Sequence, residues 1–285
     1  MKTKLLILTL TILLAVSGIA ALQAATPSNT VDLIVFSDTH IGRAATIKSG
    51  SDNLTSYERY AMLLGSTNQY SALGMINNGD ITDGWFLNNT KQKQMYSDYV
   101  RLSKSSKNPI ITTKGNHDVN VSMYIEYFNR TTEIKRANDI LVILLGSKNQ
   151  DCVEWMNQGT TYEQYQINLI NRTIFSGEWN ATKYHFLFIH YTPDSKWWQG
   201  NGTVFGLPKA LNPYYEYFTL VFSGHEGGPA RVLTQQNATV IHSAHLGDGK
   251  LATDTYLTVK IDRSTNIIAV YSVNFVTGTT QPLFF

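Results

Sequence analysis

Short, almost entirely apolar runs recur along the chain, and they predict β-strands that are buried on both faces. Val31–Ser37 is the clearest of them, because its apolar residues follow one another without the alternation that a half-exposed strand shows. The other runs of this kind are Leu73–Asn78, Pro109–Thr113, Leu141–Gly146, Tyr184–Ile189 and Phe218–Ser223.

Segments of mixed composition lie between several of these runs, and they are long enough to form helices. They are Tyr57–Gly65, Lys91–Ser103, Tyr124–Arg130 and Glu163–Ile174. Strands that alternate with helices indicate βαβ units and a sheet whose faces are covered. This part of the chain therefore predicts an α/β fold.

The last third of the chain has strand-like segments joined by short turns, with no predicted helix between them. These segments are Arg231–Leu233, Thr239–His242, Thr255–Ile261 and Ile267–Phe275. They predict a second, more antiparallel sheet. The simplest architecture is then two sheets packed face to face, with the helices outside.

The N-terminus has the features of an export signal. Lys2 and Lys4 precede an apolar run from Leu5 to about Leu22, and small residues follow. A cleaved signal is favoured, but a run of roughly 18 residues is also long enough for a retained anchor. We therefore expect residues 1–25 to be a signal peptide or N-terminal anchor. The protein would then be secreted or held at the extracellular face of the membrane.

Eight Asn-x-Ser/Thr sequences support export, because each is a potential glycan acceptor on the exposed chain of a secreted glycoprotein. Cys152 is the only cysteine, so no intramolecular disulfide is possible and the core must provide the stability. The acceptor residues are Asn53, Asn88, Asn120, Asn129, Asn171, Asn180, Asn201 and Asn237.

Composition and charge exclude several kinds of partner. Charged residues make up only 15% of the chain and the net charge is +2, which gives no basic surface for nucleic acid and no polybasic run for anionic lipid. Contact with a membrane is expected only through the possible N-terminal anchor. Hydrophobic residues amount to 43%, enough for a substantial core, and residues 26–285 are expected to form one domain.

Polar residues that can bind metal follow five of the predicted strands, at the point where each strand ends. Ligand sites in parallel sheets form outside the carboxyl ends of the strands, so these side chains are expected to converge. Glycines beside three of them allow tight turns that bring the side chains inward. The residues are Asp38 and His40, then Asp80, Asn116, His190 and His225.

Asp, Asn and His without Cys are ligands that suit Zn, Fe or Mn ions. Six such groups exceed the needs of a single tetrahedral ion, so the pattern favours two divalent or trivalent ions that share one carboxylate. A pair of ions about 3.5–4 Å apart can hold a phosphate group and activate water for attack on phosphorus.

In this order, Asp38-x-His40, Gly79-Asp80, Gly115-Asn116-His117-Asp118, His190 and Gly224-His225 resemble the motif set of the calcineurin-like metallophosphoesterases. That family also includes purple acid phosphatases and acid sphingomyelinases. The resemblance covers about residues 31–228 and implies a two-sheet α/β sandwich flanked by helices. It also implies metal-dependent hydrolysis of phosphate monoesters or diesters at a binuclear site.

The resemblance implies which of the two metals each ligand would bind. Asp38 and His40 would bind the first metal, and the Asp80 carboxylate would bridge both ions. The second metal would be bound by Asn116, His190 and His225.

Two further motif residues would be catalytic by the same resemblance. His117 would lie near the substrate and stabilise or protonate the leaving group, and Asp118 would orient it. Asp83 is interpreted as a turn residue, and support of Asp80 is the alternative role. His185 is interpreted as structural, because strand alternation turns it to the face opposite His190.

One position departs from the family pattern. The final family motif is Gly-His-x-His, and its second histidine completes the shell of the first metal, but here Gly227 stands in that place. Glu226, His242 and His245 are candidates for a substitute ligand, and His245 follows a predicted strand. Otherwise water fills the gap and the first metal binds weakly.

This departure motivates a rival function, a catalytically impaired or inactive secreted protein that keeps the scaffold for binding. A second rival is a diesterase of the kind that cleaves sphingomyelin or cyclic nucleotides. A serine hydrolase is disfavoured because the chain has no Gly-x-Ser-x-Gly sequence.

Aromatic residues follow several motifs closely, and they are candidates either for lining a substrate cleft or for packing over the sandwich. Arg43 is a candidate contact for phosphate or a simple surface residue. The aromatic residues are Trp85, Phe86, Tyr191, Trp197 and Trp198.

Overall fold

The structure is a computed structural model that describes residues 29–42, 54–84, 88–147, 162–191, 211–235, 237–247 and 253–284. The predicted signal peptide or anchor lies outside these ranges, as do Cys152 and the acceptor residues Asn53 and Asn201. Within the described ranges, no helix has the length and hydropathy that a membrane crossing requires.

The first sheet has six strands and combines parallel with antiparallel pairs. Its strands are β1 (Thr30–Phe36), β2 (Gly74–Asn77), β3 (Ile110–Thr112), β10 (Thr255–Asp262), β11 (Ile267–Asn274) and β12 (Thr280–Phe284). Their spatial order is β12-β11-β10-β1-β2-β3. β1, β2 and β3 are parallel, so their carboxyl ends lie at one edge of the sheet.

The second sheet also has six strands, and its central strands are all parallel. They are β4 (Thr132–Ala137), β5 (Ile140–Leu145), β6 (Tyr184–Ile189), β7 (Leu220–Ser223), β8 (Arg231–Gln235) and β9 (Ala238–His242). The spatial order is β4-β5-β6-β7-β9-β8, and the two edge strands are antiparallel to their neighbours.

The expectation that the last third forms a sheet of its own is wrong. β8 and β9 extend the second sheet, whereas β10, β11 and β12 complete the first, with Val35 of β1 paired to Leu257 of β10. The apolar pattern identifies a strand but does not say which edge it joins. β4 and β12 escaped prediction because both are edge strands, one rich in charged residues and the other containing Pro282.

Helices cover both outer faces. They are α1 (Ser56–Thr67), α2 (Asn89–Ser103), α3 (Val121–Phe128), α4 (Tyr162–Ile174), the short α5 (Gly177–Asn180) and a 3₁₀ helix at Asn212–Tyr217. Side-chain caps fix where the first three begin. Thr55 and Glu58 form a reciprocal capping box for α1, and Asn88 and Asn120 accept from the first turns of α2 and α3. The predicted third helix therefore starts at Val121, not at Tyr124.

Three apolar clusters hold these layers together. The largest lies between the sheets and joins, for example, Leu33 and Leu257 of the first sheet to Phe186 and Phe222 of the second. The other two lie between each sheet and its helices. The α/β sandwich with helices outside, expected from the sequence, is therefore confirmed.

Candidate metal centre

The predicted metal ligands meet at the carboxyl ends of the parallel strands. The loops after β1 and β2 are joined by backbone hydrogen bonds from Asp38 N to Gly79 O (2.9 Å) and from His40 N to Asp80 O (3.0 Å). In the second sheet, Gly224 N donates to His190 O at 2.8 Å. The strand ends are thus tied to one another directly, and the side chains that follow them face a shared point.

The backbone at this point is unusual. Non-glycine residues with positive φ fall into two kinds in the described part of the chain: asparagines in turns, and four of the predicted ligands. These four ligands are Asp38, His40, Asp80 and His225, with φ of 54°, 41°, 52° and 74°. Left-handed backbone costs about 1–3 kcal/mol at a residue that is not glycine, and such strain concentrates at functional sites.

Glycines make the close approach of these loops possible. A Cβ on Gly115 would lie 2.0 Å from Asp80 Oδ1, and one on Gly224 would lie 2.1 Å from Ser37 Oγ. Gly79 has φ of +100°, and a Cβ there would lie 2.4 Å from His190 Nδ1. All three glycines are therefore required by space, and Gly79 also by its backbone conformation.

Among the described residues, three sets of side chains could each hold a metal ion. Within each set, the ligand atoms lie within 4.8 Å of one another. One set is Asp38, His40 and His245, the second is Asp80, His190 and His225, and the third is His40, Asp83 and His117.

Asp80 connects the first two sets. Its Oδ1 accepts from the backbone of His117 at 2.8 Å, which leaves Oδ2 among the histidines. Oδ2 lies 3.2 Å from His190 Nε2 in one set and 3.7 Å from His40 Nε2 in the other. A single buried carboxylate oxygen thus stands between the two sets.

The donor atoms fit a cation. His190 Nδ1 lies 2.9 Å from the carbonyl of Asn78, which can only accept, so Nδ1 carries the hydrogen. In the neutral ring, Nε2 then presents a lone pair to Asn116 Oδ1 at 2.9 Å and to Asp80 Oδ2 at 3.2 Å. Ions with ligands at about 2.1 Å hold neighbouring donor atoms about 3.0–3.4 Å apart, so a metal ion satisfies all three.

The charges at the centre require compensation. Burial opposes ionisation of Asp38 and Asp80, but the surrounding histidines hold the pKa of both carboxyl groups below the usual value. The same carboxylates outweigh the effect of burial on His190 and raise its pKa to about 9. A cation bound among these groups would compensate the carboxylates directly and displace protons from histidine.

His225 lies where its ring can join the second set. Its backbone N–H donates to Asp38 Oδ2 at 3.0 Å, and its ring packs edge-on against Tyr191 with centroids 4.7 Å apart. Burial, followed by the charge of His190, lowers the pKa of His225 to about 3. The imidazole is therefore neutral and keeps a lone pair for a metal.

His117 has a different partner from the one expected. Its Nδ1 lies 2.6 Å from Asp83 Oδ1, so the contact that the sequence interpretation gave to Asp118 is made by Asp83. The Asp118 carboxylate instead accepts from the backbone N–H groups of Thr82 and Gly115, both at 3.0 Å. Asp118 stabilises the loops that carry Asp80 and His117, because its buried carboxylate accepts hydrogen bonds from the backbone of both loops.

Asp83 was assigned to a turn in the sequence interpretation, and its role beside His117 was missed. The available signal was its spacing: it follows Asp80 by three residues, within the same tight loop. His185 is structural as expected, since its ring stacks on Trp179 with centroids 3.7 Å apart. Of the aromatic candidates, Trp85, Phe86, Trp197 and Trp198 lie outside the described residues, as does Arg43.

The candidates for the substitute ligand differ in position. His245 Nε2 lies 3.1 Å from Asp38 Oδ1, inside the first set. The Glu226 carboxylate instead accepts from Arg231 at 2.9 Å. His242 is buried, and burial lowers its pKa to about 3, but it belongs to none of the three sets formed by the described residues.

The fold is thus a two-sheet α/β sandwich, with carboxylates and histidines grouped as a candidate metal centre at the ends of its parallel strands. The chain belongs to the calcineurin-like phosphoesterase family, whose family model matches residues 31–229. The resemblance seen in the motifs is thereby confirmed. A comparison with curated protein sequences gave no significant match.

Solved structures with the same fold include two phosphatases. A dimetal phosphatase from Danio rerio superposes with a TM-score of 0.60 at 9% identity, over 90% of this chain and 99% of that chain. A purple acid phosphatase from yellow lupin (Lupinus luteus) seeds gives 0.55 at 10% identity, over 92% of this chain and 54% of that chain.

A third similar structure is GAP50 of Plasmodium, described as the anchor in the inner membrane complex. It gives a TM-score of 0.58 at 11% identity, over 90% of this chain and 89% of that chain. At such low identities the likeness to these structures concerns the fold, and the family assignment rests on the sequence match.

Proposed function

We propose that this protein is a metal-dependent hydrolase of phosphate monoesters or diesters, with two ions that share Asp80. The observation that carries the proposal is the place of Asp80 Oδ2, which faces His190 Nε2 at 3.2 Å and His40 Nε2 at 3.7 Å. The first ion would be held by Asp38 and His40, and the second by Asn116, His190 and His225. The donor types suit Zn, Fe or Mn.

When bound, two ions would supply positive charge for the phosphate oxygens and lower the pKa of the attacking water. The residues of the chain supply orientation. Asp38 Oδ2 accepts from His225 N and from Ser37 Oγ, which fixes Oδ1 toward the histidines. Asn78 O fixes the tautomer of His190 in the same way.

His117 is suited to give a proton to the departing oxygen. Its side chain keeps 16% of its surface exposed, more than the deeper ligands, and its Nε2 lies 4.0 Å from Asp80 Oδ2. Burial would lower the pKa of His117, but the hydrogen bond that its Nδ1 donates to Asp83 and the charges of Asp80 and Asp83 outweigh this effect and raise the pKa. The raised pKa favours the protonated ring, which is the form that a general acid requires.

The partly exposed histidines of the site also indicate the direction of substrate entry. His117 and His225 are only partly buried, whereas Asp38, His40 and His190 are almost fully enclosed. A phosphate group would approach from the side of His117 and His225. The ester oxygen that leaves then comes within reach of the His117 ring.

The test combines metal content with turnover. Purified protein should contain Zn, Fe or Mn by elemental analysis and should hydrolyse p-nitrophenyl phosphate, bis(p-nitrophenyl) phosphate, or both. His117→Ala should lower turnover by about 10²–10⁴-fold with metal content intact. Asp80→Asn should lower the metal content itself.

His185→Ala is the matched control, because this histidine lies near the start of β6, whereas His190 directly follows the end of that strand. It should keep both metal content and turnover. Protein that binds no metal and cleaves no ester on the panel would refute the proposal and favour the non-catalytic rival. Metal without turnover would refute the hydrolase and retain only a metal-binding scaffold.

We further propose that the enzyme is exported. The support is the leader-like sequence of residues 1–25 together with acceptor asparagines that are exposed in the fold, namely Asn88, Asn129, Asn171, Asn180 and Asn237. N-terminal sequencing of protein from its native source should show a start near residue 26, or an intact leader if the segment is an anchor. Protein that remains inside the cell without glycans would contradict export.

A further inference from the structure

His245 lies among the donors of the first ion, although it comes from a segment outside the motif set. Its Nε2 lies 3.1 Å from Asp38 Oδ1, and His40 Nε2 lies 3.8 Å from the same oxygen. The rings of His40 and His245 have centroids 5.2 Å apart and are inclined by 31°. All three side chains are at most 2% exposed, so their ring nitrogens and carboxylate face one another in a space closed to solvent.

The backbone fixes His245 at this place. The segment after β9 runs beside the loop after β1, where Ser37 and His245 form a parallel bridge. Leu246 N donates to Ser37 O at 3.2 Å, and Gly247 N donates to Asp38 O at 2.8 Å. His245 is therefore attached to the segment that carries Asp38, which fixes the position of one relative to the other.

Gly247 shows how close this attachment is. A Cβ at that position would lie 1.9 Å from the carbonyl oxygen of Thr39, a backbone atom that cannot be displaced cheaply. On the other side, His245 N lies 3.3 Å from Gly228 O and its carbonyl accepts from Thr253 N at 2.7 Å. Backbone contacts on both sides of His245 thus hold its ring toward Asp38.

The competing candidates lie outside the first set. Glu226, next to Gly227, accepts from Arg231 with Oε2 and belongs to none of the three sets formed by the described residues. Gly227 itself has no side chain. His242 belongs to the end of β9, where it pairs with Ser223, and it is absent from the first set.

We propose that His245 is a ligand of the first metal and supplies, from the segment after β9, the donor that Gly227 lacks. The inference rests on the proposed two-ion site and deepens it. The first ion would then have Asp38, His40, His245 and the shared Asp80. Two imidazoles and two carboxylates would give the first ion four protein donors, and a five-coordinate ion would keep one further position for water or phosphate.

The test counts bound ions. Wild-type protein and His245→Ala are equilibrated with Zn²⁺, freed of excess by gel filtration and measured by elemental analysis. Wild type should hold about two equivalents per chain and the variant about one, because only the first site loses a donor. His185→Ala, a histidine outside the centre, should keep about two.

Combined substitutions assign the lost ion to its site. Asp38→Asn should remove the same ion as His245→Ala, so the double variant should lose nothing more. His225→Ala should remove the other ion, and together with His245→Ala it should leave no tightly bound metal. Far-UV circular dichroism monitors folding, and His245→Asn provides a second variant of similar polarity if the alanine variant does not fold.

The outcomes are distinguishable. If wild type holds no metal, the proposed function itself fails. If wild type holds two ions and the folded His245 variants also hold two with unchanged affinity, the two-ion hydrolase stands and the role of His245 is overturned. A wild type with one ion, and no further loss in the variants, likewise overturns the role of His245.

Discussion

Asp83 Oδ1 lies 2.6 Å from His117 Nδ1, and this contact determines which nitrogen of the imidazole faces the metal centre. A carboxylate accepts, so Nδ1 carries a hydrogen and Nε2 is the atom directed toward the space beside Asp80, 4.0 Å from its Oδ2. Asp83 therefore acts on the reaction through His117, as a positioning residue.

We predict that Asp83→Asn lowers kcat by at least about 10–100-fold, the loss typical of carboxylates that orient metal-binding histidines. The amide can present its NH₂ group to Nδ1 and favour the wrong tautomer, so Nε2 loses its proton. KM and metal content should change little, because Asp83 does not lie in the first or second ligand set. Steady-state kinetics with a phosphate ester and elemental analysis provide the two readouts.

Asp118→Asn is the contrasting variant. Its carboxylate holds backbone donors of two loops, so we expect a loss of stability and metal content together rather than an effect on kcat alone. If Asp83→Asn retained full kcat, or lost metal as Asp118→Asn does, the positioning role of Asp83 would be excluded.

A second prediction concerns Gly79. Gly79→Ala would place a Cβ 2.4 Å from His190 Nδ1 at a residue with φ of +100°. We expect a destabilisation of about 1–3 kcal/mol together with loss of the ion bound by His190, because the ring must move away from Asn78. Urea unfolding and elemental analysis measure the two effects.

Gly65→Ala is the control for that substitution. Gly65 lies within helix α1, and no atom lies within 4 Å of a Cβ at that position. Alanine should therefore increase the free energy of unfolding by about 0.5–1 kcal/mol with metal content unchanged. Equal effects of the two substitutions would show that space at His190 is not what requires glycine.

The sequence predicted the convergence of the ligand residues more accurately than it predicted which strands form each sheet. Each predicted ligand follows an apolar strand, and parallel strands bring their carboxyl ends to one edge, so convergence followed from local pattern and sheet geometry. The assignment of β10 to the first sheet did not follow, because pairing between β1 and β10 joins segments far apart in sequence. An apolar run shows that a strand is buried, but it does not show which neighbouring strands bury it.

For a related reason, the sequence pattern did not predict the individual side-chain contacts of His117 and His245. Asp83 and Asp118 are both acidic residues within a few positions of a motif, and the choice of partner for His117 depends on side-chain direction in a loop with positive φ at Asp80. His245 was predictable as a candidate from its place after a strand. Its contact with Asp38 depends on the bridge to Ser37, which no local pattern indicates.

A third prediction concerns the buried ion pair that anchors α1 to the first sheet. Arg59 Nε donates to Asp254 Oδ1 at 2.7 Å, and the two side chains are 0% and 3% exposed. Arg59→Leu should reduce the free energy of unfolding by about 3–5 kcal/mol, because it leaves the Asp254 carboxylate buried without its cation. Urea unfolding measures this loss.

Two comparisons separate charge from packing. Replacing both residues, Arg59→Leu with Asp254→Leu, should cost less than Arg59→Leu alone, because no unpaired charge remains. Lys93→Met, in an ion pair with Glu126 whose side chains are 54% and 57% exposed, should leave stability nearly unchanged. An additive double variant would show that the pair contributes through packing only.

The fourth prediction concerns removal of metal. Asp38 and Asp80 are buried carboxylates whose charges depend on the histidines around them, so bound cations should stabilise the folded state relative to the unfolded chain. Ligand present at 100 times its Kd contributes about 2.7 kcal/mol per site. In a chain of this size that corresponds to a fall in Tm of roughly 5–10 °C for each ion removed by chelation.

Scanning calorimetry before and after chelation, with metal content verified at each step, measures this shift. Reloading with Zn²⁺ or Mn²⁺ should restore the original Tm, which separates loss of metal from damage by the chelator. His245→Ala should show a smaller fall than wild type, because it has one ion fewer to lose. An unchanged Tm after verified removal of metal would mean that Asp38 and Asp80 need no cation in the folded state, and the ligand sets would lose their physical basis.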